Sequence, residues 1–200
     1  MPLIKVILST TREARFGAKP ADWIIDLARK EQPDATFELV DLKEINLPLF
    51  DEPVPPVMGD YRHDHTKAWA KIIDKADGFI FVTAEYNFSI PAALKNAIDY
   101  LAAEWRYKPA AFVSYGAASG GLRAVQHLRD IAGNAGYMSL QDTVAFNRFW
   151  ELVSQDGVLT PNAEQVEHGN KLVKNIVFWA DRLKPIREEL TKLKDQPDAA

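Results

Sequence analysis

The sequence predicts an α/β fold in which a doubly wound, five-stranded parallel sheet carries helices on both faces. Short apolar runs rich in β-branched and aromatic residues alternate with stretches whose apolar residues recur at helical spacing. The chain has 200 residues and 47% of them are hydrophobic, so it is long enough to bury a sizeable core. No linker-like segment divides it. We therefore expect one domain over residues 1–185 and a charged tail over residues 186–200.

Composition excludes several classes of function. The formal net charge is −4 with acidic and basic residues interspersed, so no nucleic-acid-binding surface is visible. The absence of cysteine excludes disulfides, thiolate catalysis and cysteine-ligated metals. The first apolar run, Leu3 to Leu8, is too short for a membrane span or a signal-peptide core. We expect a soluble, cytoplasmic protein without nucleic-acid or membrane partners.

The first strand is predicted over Leu3 to Leu8, and a loop rich in hydrogen-bond donors follows it. Residues 9–17 contain three hydroxyls, two arginines and a glycine, and they precede a helix with Ile24 and Ile25 on its apolar face. A helix start offers free N–H groups, and arginine binds phosphate through paired bonds, so this loop suits a phosphate. The alternative is an N-cap cluster with solvated arginines, although one cap needs only one hydroxyl.

This loop matches neither of two familiar nucleotide-binding patterns. It contains no Gly-x-Gly-x-x-Gly and no Gly-Lys-Ser/Thr sequence. A dinucleotide held by glycines in the first turn is therefore not expected.

The second strand is predicted over Thr36 to Leu42, and an irregular segment follows it. Residues 43–65 contain four prolines, which argue against regular structure. His63 and His65 lie within this segment, but no third ligand is in register for a metal, so we expect two solvated histidines. The next helix is predicted from Trp69, Ile72, Ile73 and Ala76.

The third strand and its loop stand at the centre of the chain. Phe79 to Val82 is typical of a strand buried on both faces, and the polar residues Thr83 to Asn87 follow it. Pro91 suits the first turn of a helix that is predicted to reach Leu101. Taken alone, the polar loop is better interpreted as an ordinary surface turn.

The fourth strand, Ala110 to Ser114, precedes a glycine-rich loop. Tyr115 to Gly121 contains three glycines among small residues, which would let the backbone approach a planar ligand closely. The alternative is a flexible turn before a helix. The helix has the apolar face Leu122, Val125, Leu128 and Ala132, and His127 is expected to pack near that face.

The remaining elements are a short strand around Thr143 to Phe146 and a long helix over residues 162–184, which Pro185 is expected to interrupt. If the strand order is that of flavodoxin, strands one, three and four end beside the point where the winding reverses. Ligands bind there in open α/β sheets. The three loops described above follow those strands, so we expect them to form one composite site.

Together these residues resemble the NADPH-dependent FMN reductase family of flavodoxin-like proteins, which also includes quinone, chromate and azo-dye reductases. The resemblance extends from Ile4 to about Leu183. Its most specific part is Glu-Tyr-Asn at residues 85–87, with Ser-Ile-Pro at 89–91 and Leu-Lys-Asn-Ala-Ile-Asp at 94–99. The family usually has Pro-Glu-Tyr-Asn, and Ala84 replaces the proline here.

The first and third loops also resemble the family. The first is similar to the family's Gly-Ser-Thr-Arg but begins with Ser9 in place of glycine. Ser-Tyr-Gly at residues 114–116 and Ser-Gly-Gly at residues 119–121 match the third loop.

The resemblance implies FMN as cofactor and NAD(P)H as co-substrate. By position, the phosphate would be held by Thr10, Thr11, Arg12 and Gly17. The edge and face of the isoalloxazine ring would lie along Ala84, Glu85, Tyr86 and Asn87. Hydrogen bonds to its pyrimidine end would come from residues 114–121, including Ser114, Tyr115, Gly116, Ser119 and Gly120. FMN itself supplies the redox chemistry in such enzymes, so no catalytic side chain and no metal ligand is assigned.

The resemblance further implies an NAD(P)H oxidoreductase that reduces a small acceptor (a flavin, a quinone, an azo dye or a metal oxyanion). Because the sequence shows no separate nicotinamide pocket, we expect the two substrates to take turns on one face of the flavin, which gives ping-pong kinetics. We expect a wall of Tyr86, Phe146, Phe149 and Trp150 beside the ring. A homodimer or homotetramer is also expected, because Tyr100, Ala102, Trp105 and Tyr107 add apolar surface beyond one helix face. An FMN-binding electron carrier is the alternative, although such carriers tend to be more acidic. A third possibility is a scaffold protein that binds no flavin.

Overall fold

The structure is a computed structural model that describes residues 1–194. Five strands form one sheet, namely β1 (Leu3–Leu8), β2 (Thr36–Asp41), β3 (Gly78–Ala84), β4 (Pro109–Gly116) and β5 (Met138–Asn147). The helices are α1 (Ala18–Glu31), α2 (Leu42–Ile45), α3 (Asp64–Asp74), α4 (Ala92–Asp99), α5 (Leu122–Ala135) and α6 (Ala163–Lys194). The strand order is β2-β1-β3-β4-β5 and all neighbours are parallel. The predicted doubly wound, flavodoxin-like fold is confirmed.

Two apolar clusters cover the two faces of this sheet. On one face, α1 and α6 pack with residues such as Ile24 and Leu172. On the other, α3, α4 and α5 pack with residues such as Trp69, Leu94 and Leu128. Because both faces are covered, β3 and β4 are buried along their whole length.

Three strands are longer than predicted. β3 and β4 each continue two residues further, because their last residues still pair with the neighbouring strand: Ala84 pairs with Tyr115, and Gly116 pairs with Asn147. β5 starts at Met138 rather than near Thr143. As an edge strand it buries only some of its residues, so it lacks the continuous apolar run that marks a central strand.

The proline-rich segment is more ordered than expected. It begins with α2, which Asp41 caps by accepting from the N–H of Lys43, so Leu42 lies in this helix and not in the second strand. The two histidines are not simply solvated. Their rings stack with centroids 5.1 Å apart, and Nε2 of His65 lies 2.9 Å from the Asp51 carboxylate. Nε2 of His63 lies 3.2 Å from the Asp51 backbone oxygen. Within residues 1–194, no three His, Asp or Glu side chains are grouped to hold a metal.

The last helix does not end at Pro185. It continues to Lys194, because side chains on both sides of the proline anchor it to the buried Asp77. Arg187 lies 2.7 Å and Lys184 lies 3.4 Å from that carboxylate. Residues 195–200, part of the expected tail, lie outside the described residues. Among the described helices, none combines the length with the apolar character that a membrane crossing would need.

Four side chains lie elsewhere than predicted. Tyr100 and Trp105 are fully buried, so they add nothing to the surface of the chain. Leu122 is half exposed at the start of α5, before the buried face of that helix begins. His127 is exposed and does not pack on the apolar face; its Nδ1 lies 2.9 Å from the Ser89 hydroxyl.

Candidate functional site

The loops after β1, β3 and β4 meet at the carboxyl edge of the sheet, because these three strands are neighbours. A cleft of about 200 Å³ lies between them. Its lining comes from all three loops and from the turn after β5, namely Arg12, Phe16, Ala84, Glu85, Tyr86, Tyr115, Gly116, Ala117, Phe149 and Trp150. Small-molecule sites usually measure roughly 300–1,000 Å³, so this cleft suits one planar ring system rather than a whole mononucleotide.

The loop after β1 presents unpaired donors. Among the residues that the structure describes, no acceptor faces the backbone N–H groups of Thr10, Thr11 or Arg12. The Arg12 side chain is exposed, and its one contact is a 3.4 Å bond to the Ala14 oxygen. Unpaired N–H groups beside a free guanidinium are the donor set that binds a phosphate. These residues therefore fit a phosphate-bearing ligand whose ring occupies the adjacent cleft.

The second arginine of this loop is not available to a ligand. Arg15 donates to the Thr10 oxygen at 2.7 Å and pairs with the Asp41 carboxylate through two N–H groups. The side chains of Arg15 and Asp41 are only 13% and 14% exposed. Arg15 therefore fastens the loop to the end of β2 and leaves Arg12 as the free cation.

Gly17 and Thr10 are buried next to Tyr115, which lines the cleft. The Thr10 hydroxyl lies 3.2 Å from the Tyr115 hydroxyl, and both side chains are buried. A Cβ at Gly17 would come within 2.8 Å of the Thr10 hydroxyl and 2.7 Å of the Tyr115 hydroxyl, so this position admits no side chain. Burial raises the pKa of Tyr115 to about 12, so its hydroxyl stays protonated at neutral pH.

Ser9, the residue in place of the family's glycine, is fully buried at the end of β1. Its hydroxyl has no hydrogen-bond partner within the described residues. A buried hydroxyl without a partner is unfavourable, and it is one more unused donor next to the first loop.

Glu85 joins the second and third loops. Its carboxylate accepts from the Ser119 hydroxyl at 2.7 Å, from the Arg123 backbone N–H at 3.1 Å and from the Arg123 guanidinium at 2.8 Å. Burial would raise the pKa of Glu85, but these hydrogen bonds outweigh it and hold the pKa below its usual value. Glu85 and Ser119 thus shape the site by binding each other.

The other predicted residues of these loops divide into buried and exposed groups. Ala84 and Ser114 are buried, and Ser114 donates to the Gly120 oxygen at 2.8 Å. Gly116 is also buried, and a Cβ there would lie 3.0 Å from the Gly121 nitrogen. Tyr86 and Asn87 are exposed at the mouth of the cleft.

An aromatic wall closes the side of the cleft that faces α1. Phe16 packs against Tyr115 with ring centroids 5.0 Å apart and against Phe149 at 4.4 Å, and Trp150 extends the wall towards solvent. Phe146, predicted to belong to this wall, is instead buried against Trp23 because it lies on the inner face of β5. Phe16 was not predicted to belong to the site, although an aromatic residue among the small polar residues of a binding loop is a usable signal.

The chain is similar to a defined family and to characterised relatives. The sequence model of the family described as NADPH-dependent FMN reductase matches residues 2–151. An NAD(P)H-dependent FMN reductase of Schizosaccharomyces pombe is 39% identical over 175 residues, which are 86% of this chain and 86% of the relative. An NADPH:quinone oxidoreductase of Arabidopsis thaliana is 35% identical over 139 residues, which are 65% of this chain and 67% of the relative.

A solved structure has the same fold. It is the flavoenzyme NAD(P)H:(acceptor) oxidoreductase FerB from Paracoccus denitrificans, with a TM-score of 0.70 and 21% identity. The match covers 91% of this chain and 98% of that one.

Proposed function

Because the chain belongs to the NADPH-dependent FMN reductase family, we propose that it is an FMN-dependent oxidoreductase that transfers reducing equivalents from NAD(P)H to a small acceptor. The observation that carries the proposal is the donor set of the first loop. Three consecutive N–H groups without an acceptor among the described residues, and the exposed guanidinium of Arg12, lie beside a cleft sized for a planar ring. A phosphate and a ring system joined in one molecule are what FMN would place there.

The residues of the three loops would hold the cofactor in distinct ways. Thr10, Thr11 and Arg12 would bind its phosphate. Gly17, which has no side chain, would let the first loop pack closely against Tyr115. Residues 84–87 would lie along the ring, and the backbone of residues 114–121 would meet its pyrimidine end. When bound, FMN would supply, at its N5 atom, the hydride-transfer chemistry between NAD(P)H and the acceptor. The chain contributes orientation and shielding from water, so no side-chain acid or base is required.

The cofactor is proposed to be FMN rather than FAD, because one phosphate-binding loop is present and no second one would hold an adenylate. Heat release of the bound flavin followed by chromatography against standards tests this, and a dominant FAD peak would contradict it.

Stopped-flow mixing of the flavin-loaded protein with NADPH then separates an enzyme from an electron carrier. Rapid bleaching of the flavin absorbance is expected for the enzyme and slow or absent bleaching for the carrier.

The nicotinamide and the acceptor are proposed to occupy the same open side of the cleft in turn. Tyr86, Phe149 and Trp150 bound that side, and the sequence offers no separate nicotinamide-binding loop beside the three loops that line the cleft. One product must then leave before the next substrate binds, so double-reciprocal plots at several fixed acceptor concentrations should be parallel. Lines that intersect would show two separate sites.

The acceptor class is proposed to be flavins and quinones, with azo dyes and metal oxyanions as further candidates. The relatives described above are named for FMN reduction in fission yeast and quinone reduction in a plant. A steady-state acceptor screen on the flavin-loaded protein would rank these classes. Because NAD(P)H is an intracellular metabolite, the proposal also places the protein in the cytoplasm.

A homodimer or homotetramer also remains part of the proposal, supported by a different surface from the one expected. The segment between α2 and α3 exposes large apolar side chains, namely Leu49, Phe50, Val57 and Met58. Leu49 is 83% exposed, which is unusual for an apolar side chain on an ordered segment. Light scattering at micromolar concentration should give at least twice the chain mass, and Leu49→Ser with Met58→Ser should lower it. A monomeric mass for the wild type would contradict this.

A further inference from the structure

The second loop of the site contains a strained hairpin turn. Tyr86 and Ser89 form an antiparallel bridge in which each backbone N–H donates to the other residue's oxygen at 2.9 Å. The two residues between them have positive φ, 49° at Asn87 and 66° at Phe88. This is the pattern of a type I′ turn, which favours Asn followed by Gly. Asn87 suits it, whereas a bulky aromatic residue at positive φ is strained.

Packing in the core does not explain the aromatic ring at this position. Phe88 is 64% exposed, so burial of its side chain contributes little to stability. Glycine or asparagine would satisfy the turn with less strain. Strained backbone is found mainly at ligand-binding and active sites. The strain at Phe88 therefore suggests that its ring contacts a ligand.

The ring is nevertheless held in place. The Arg123 guanidinium lies over one face, 4.2 Å from the ring centroid, and the same guanidinium is anchored 2.8 Å from the Glu85 carboxylate. Glu85 lines the cleft, and so does Tyr86 at the base of the hairpin. Phe88 does not line the cleft itself. It is an exposed ring two residues after Tyr86, and Arg123 links it to Glu85, so it is joined to two residues that do line the cleft.

We propose that Phe88 is a specificity-determining residue for the acceptor, and that its ring stacks on planar quinone-type acceptors as they enter the cleft. This inference rests on the proposed function and adds to it the residue that selects planar rings. A quinone presents to the protein little more than a ring face and two carbonyl oxygens, so its affinity depends on aromatic surface. NAD(P)H instead carries phosphates that charged groups can bind, and it has less need of such a surface.

The test replaces Phe88 in the flavin-loaded protein by Gly and, separately, by Asn, which tolerates positive φ and keeps the backbone stiffer. An aromatic contact of about 0.5–1.5 kcal/mol corresponds to a roughly 2- to 10-fold change in affinity. We expect KM for a naphthoquinone to rise by about that factor in both variants, while KM for NADPH stays constant. The melting temperature should not fall in either variant, since the strained residue is gone.

Tyr107→Gly is the matched control. Tyr107 is also an aromatic residue at positive φ, 58°, and is 48% exposed, but it precedes β4 and lies at the opposite edge of the sheet from the cleft. Its replacement relieves the same kind of strain without removing anything near the site. KM for the naphthoquinone should be unchanged in this variant.

Calorimetric titration of the naphthoquinone into wild-type protein and into Phe88→Asn measures the contact without turnover. Weaker binding by the variant supports the inference even if the wild type fails to oxidise NADPH, a failure that would instead overturn the proposed function. Equal quinone affinity and equal KM in wild type and variants would overturn the role of Phe88. So would a rise confined to KM for NADPH, or a melting temperature several degrees lower, which would give the ring a purely structural role.

Discussion

The two sides of the cleft use their polar groups in opposite ways. In the loops after β3 and β4, polar groups bind one another. Glu85 accepts hydrogen bonds from Ser119 and Arg123, and the Ser114 hydroxyl donates to the Gly120 oxygen. In the loop after β1, three backbone N–H groups have no acceptor within the described residues, and the exposed Arg12 side chain makes a single long hydrogen bond there, to the Ala14 oxygen at 3.4 Å. Satisfied groups rigidify a site, and unsatisfied groups bind what enters it. Hydroxyls and charged groups thus hold the site together in the loops after β3 and β4, whereas in the loop after β1 such groups are left to bind a ligand.

Replacement of Arg15 should have the largest effect on stability, because this residue holds the loop after β1 in place. Arg15→Ala leaves the largely buried Asp41 carboxylate without its cationic partner, with only the Lys43 N–H still bound to it, and the free energy of unfolding should fall by about 3 kcal/mol in urea denaturation. Arg15→Lys should recover only part of this loss, because an ammonium cannot make the paired bonds of a guanidinium. A loss below about 1 kcal/mol would show that the Asp41 pair does not hold the loop.

The substitution Glu85→Gln tests the hydrogen bonds that join the loops after β3 and β4. This change removes the charge that binds Arg123 and weakens the bond from Ser119, so a loss of about 2 kcal/mol is expected. Glu151→Gln serves as the control, because the Glu151–Arg148 pair is exposed and should contribute about 0.5 kcal/mol or less. Equal effects of the two substitutions would mean that Glu85 contributes no more than a surface ion pair.

Arg12→Ala should affect binding instead of folding. Loss of one charge-assisted contact to a phosphate costs about 1.5–3 kcal/mol, so the Kd for FMN should rise roughly 10- to 100-fold. The free energy of unfolding without flavin should change by less than about 0.5 kcal/mol, since the side chain is exposed. Arg62→Ala, at an exposed arginine elsewhere, should change neither quantity. Unchanged FMN affinity in Arg12→Ala would assign the phosphate to the backbone donors alone.

Ser9→Ala should have the smallest effect and the opposite sign. The change removes a buried hydroxyl without a partner, so the flavin-free protein should gain up to about 1 kcal/mol. If the hydroxyl serves the ligand, FMN should stabilise the variant less than it stabilises the wild type. Thermal melts with and without FMN measure both effects, and a destabilised variant in both conditions would show that Ser9 has an unrecognised partner.

Much of the fold could be predicted from the sequence, because the central strands are buried on both faces and therefore read as continuous apolar runs. The strand starting near Phe79 and the one starting near Ala110 are examples. The edge strand β5 was predicted too short for the opposite reason, since only one of its faces is buried. The three loops of the site were identified because polar and glycine-rich stretches directly follow those apolar runs.

The end of α6 and the buried aromatics depended on contacts that sequence patterns do not show. Pro185 removes one helical hydrogen bond, but Asp77, more than 100 residues away along the chain, anchors Lys184 and Arg187 around it. Trp105 appeared to be excess apolar surface, yet it is buried and donates to the Ile98 oxygen at 3.1 Å. The end of α6 thus rests on a partner that is distant in sequence, and so does the burial of Trp105, whose ring centroid lies 5.0 Å from that of Phe79 on β3.

The sequence by itself determined the fold, the edge of the sheet that carries the site and the residue types at that edge, because these follow from local apolar patterns and strand order. The tertiary structure alone decided which polar groups are free. Arg12 and Arg15 are three positions apart in the same loop, and only the position of Asp41 at the end of the neighbouring strand separates the cation that can meet a ligand from the one that holds the loop. Glu85 differs from an ordinary loop carboxylate for the same reason, since Arg123 reaches it from α5, the helix that follows the neighbouring strand β4. Hydrogen bonds between distant residues settle such choices, and their geometry exists only once the strands are paired.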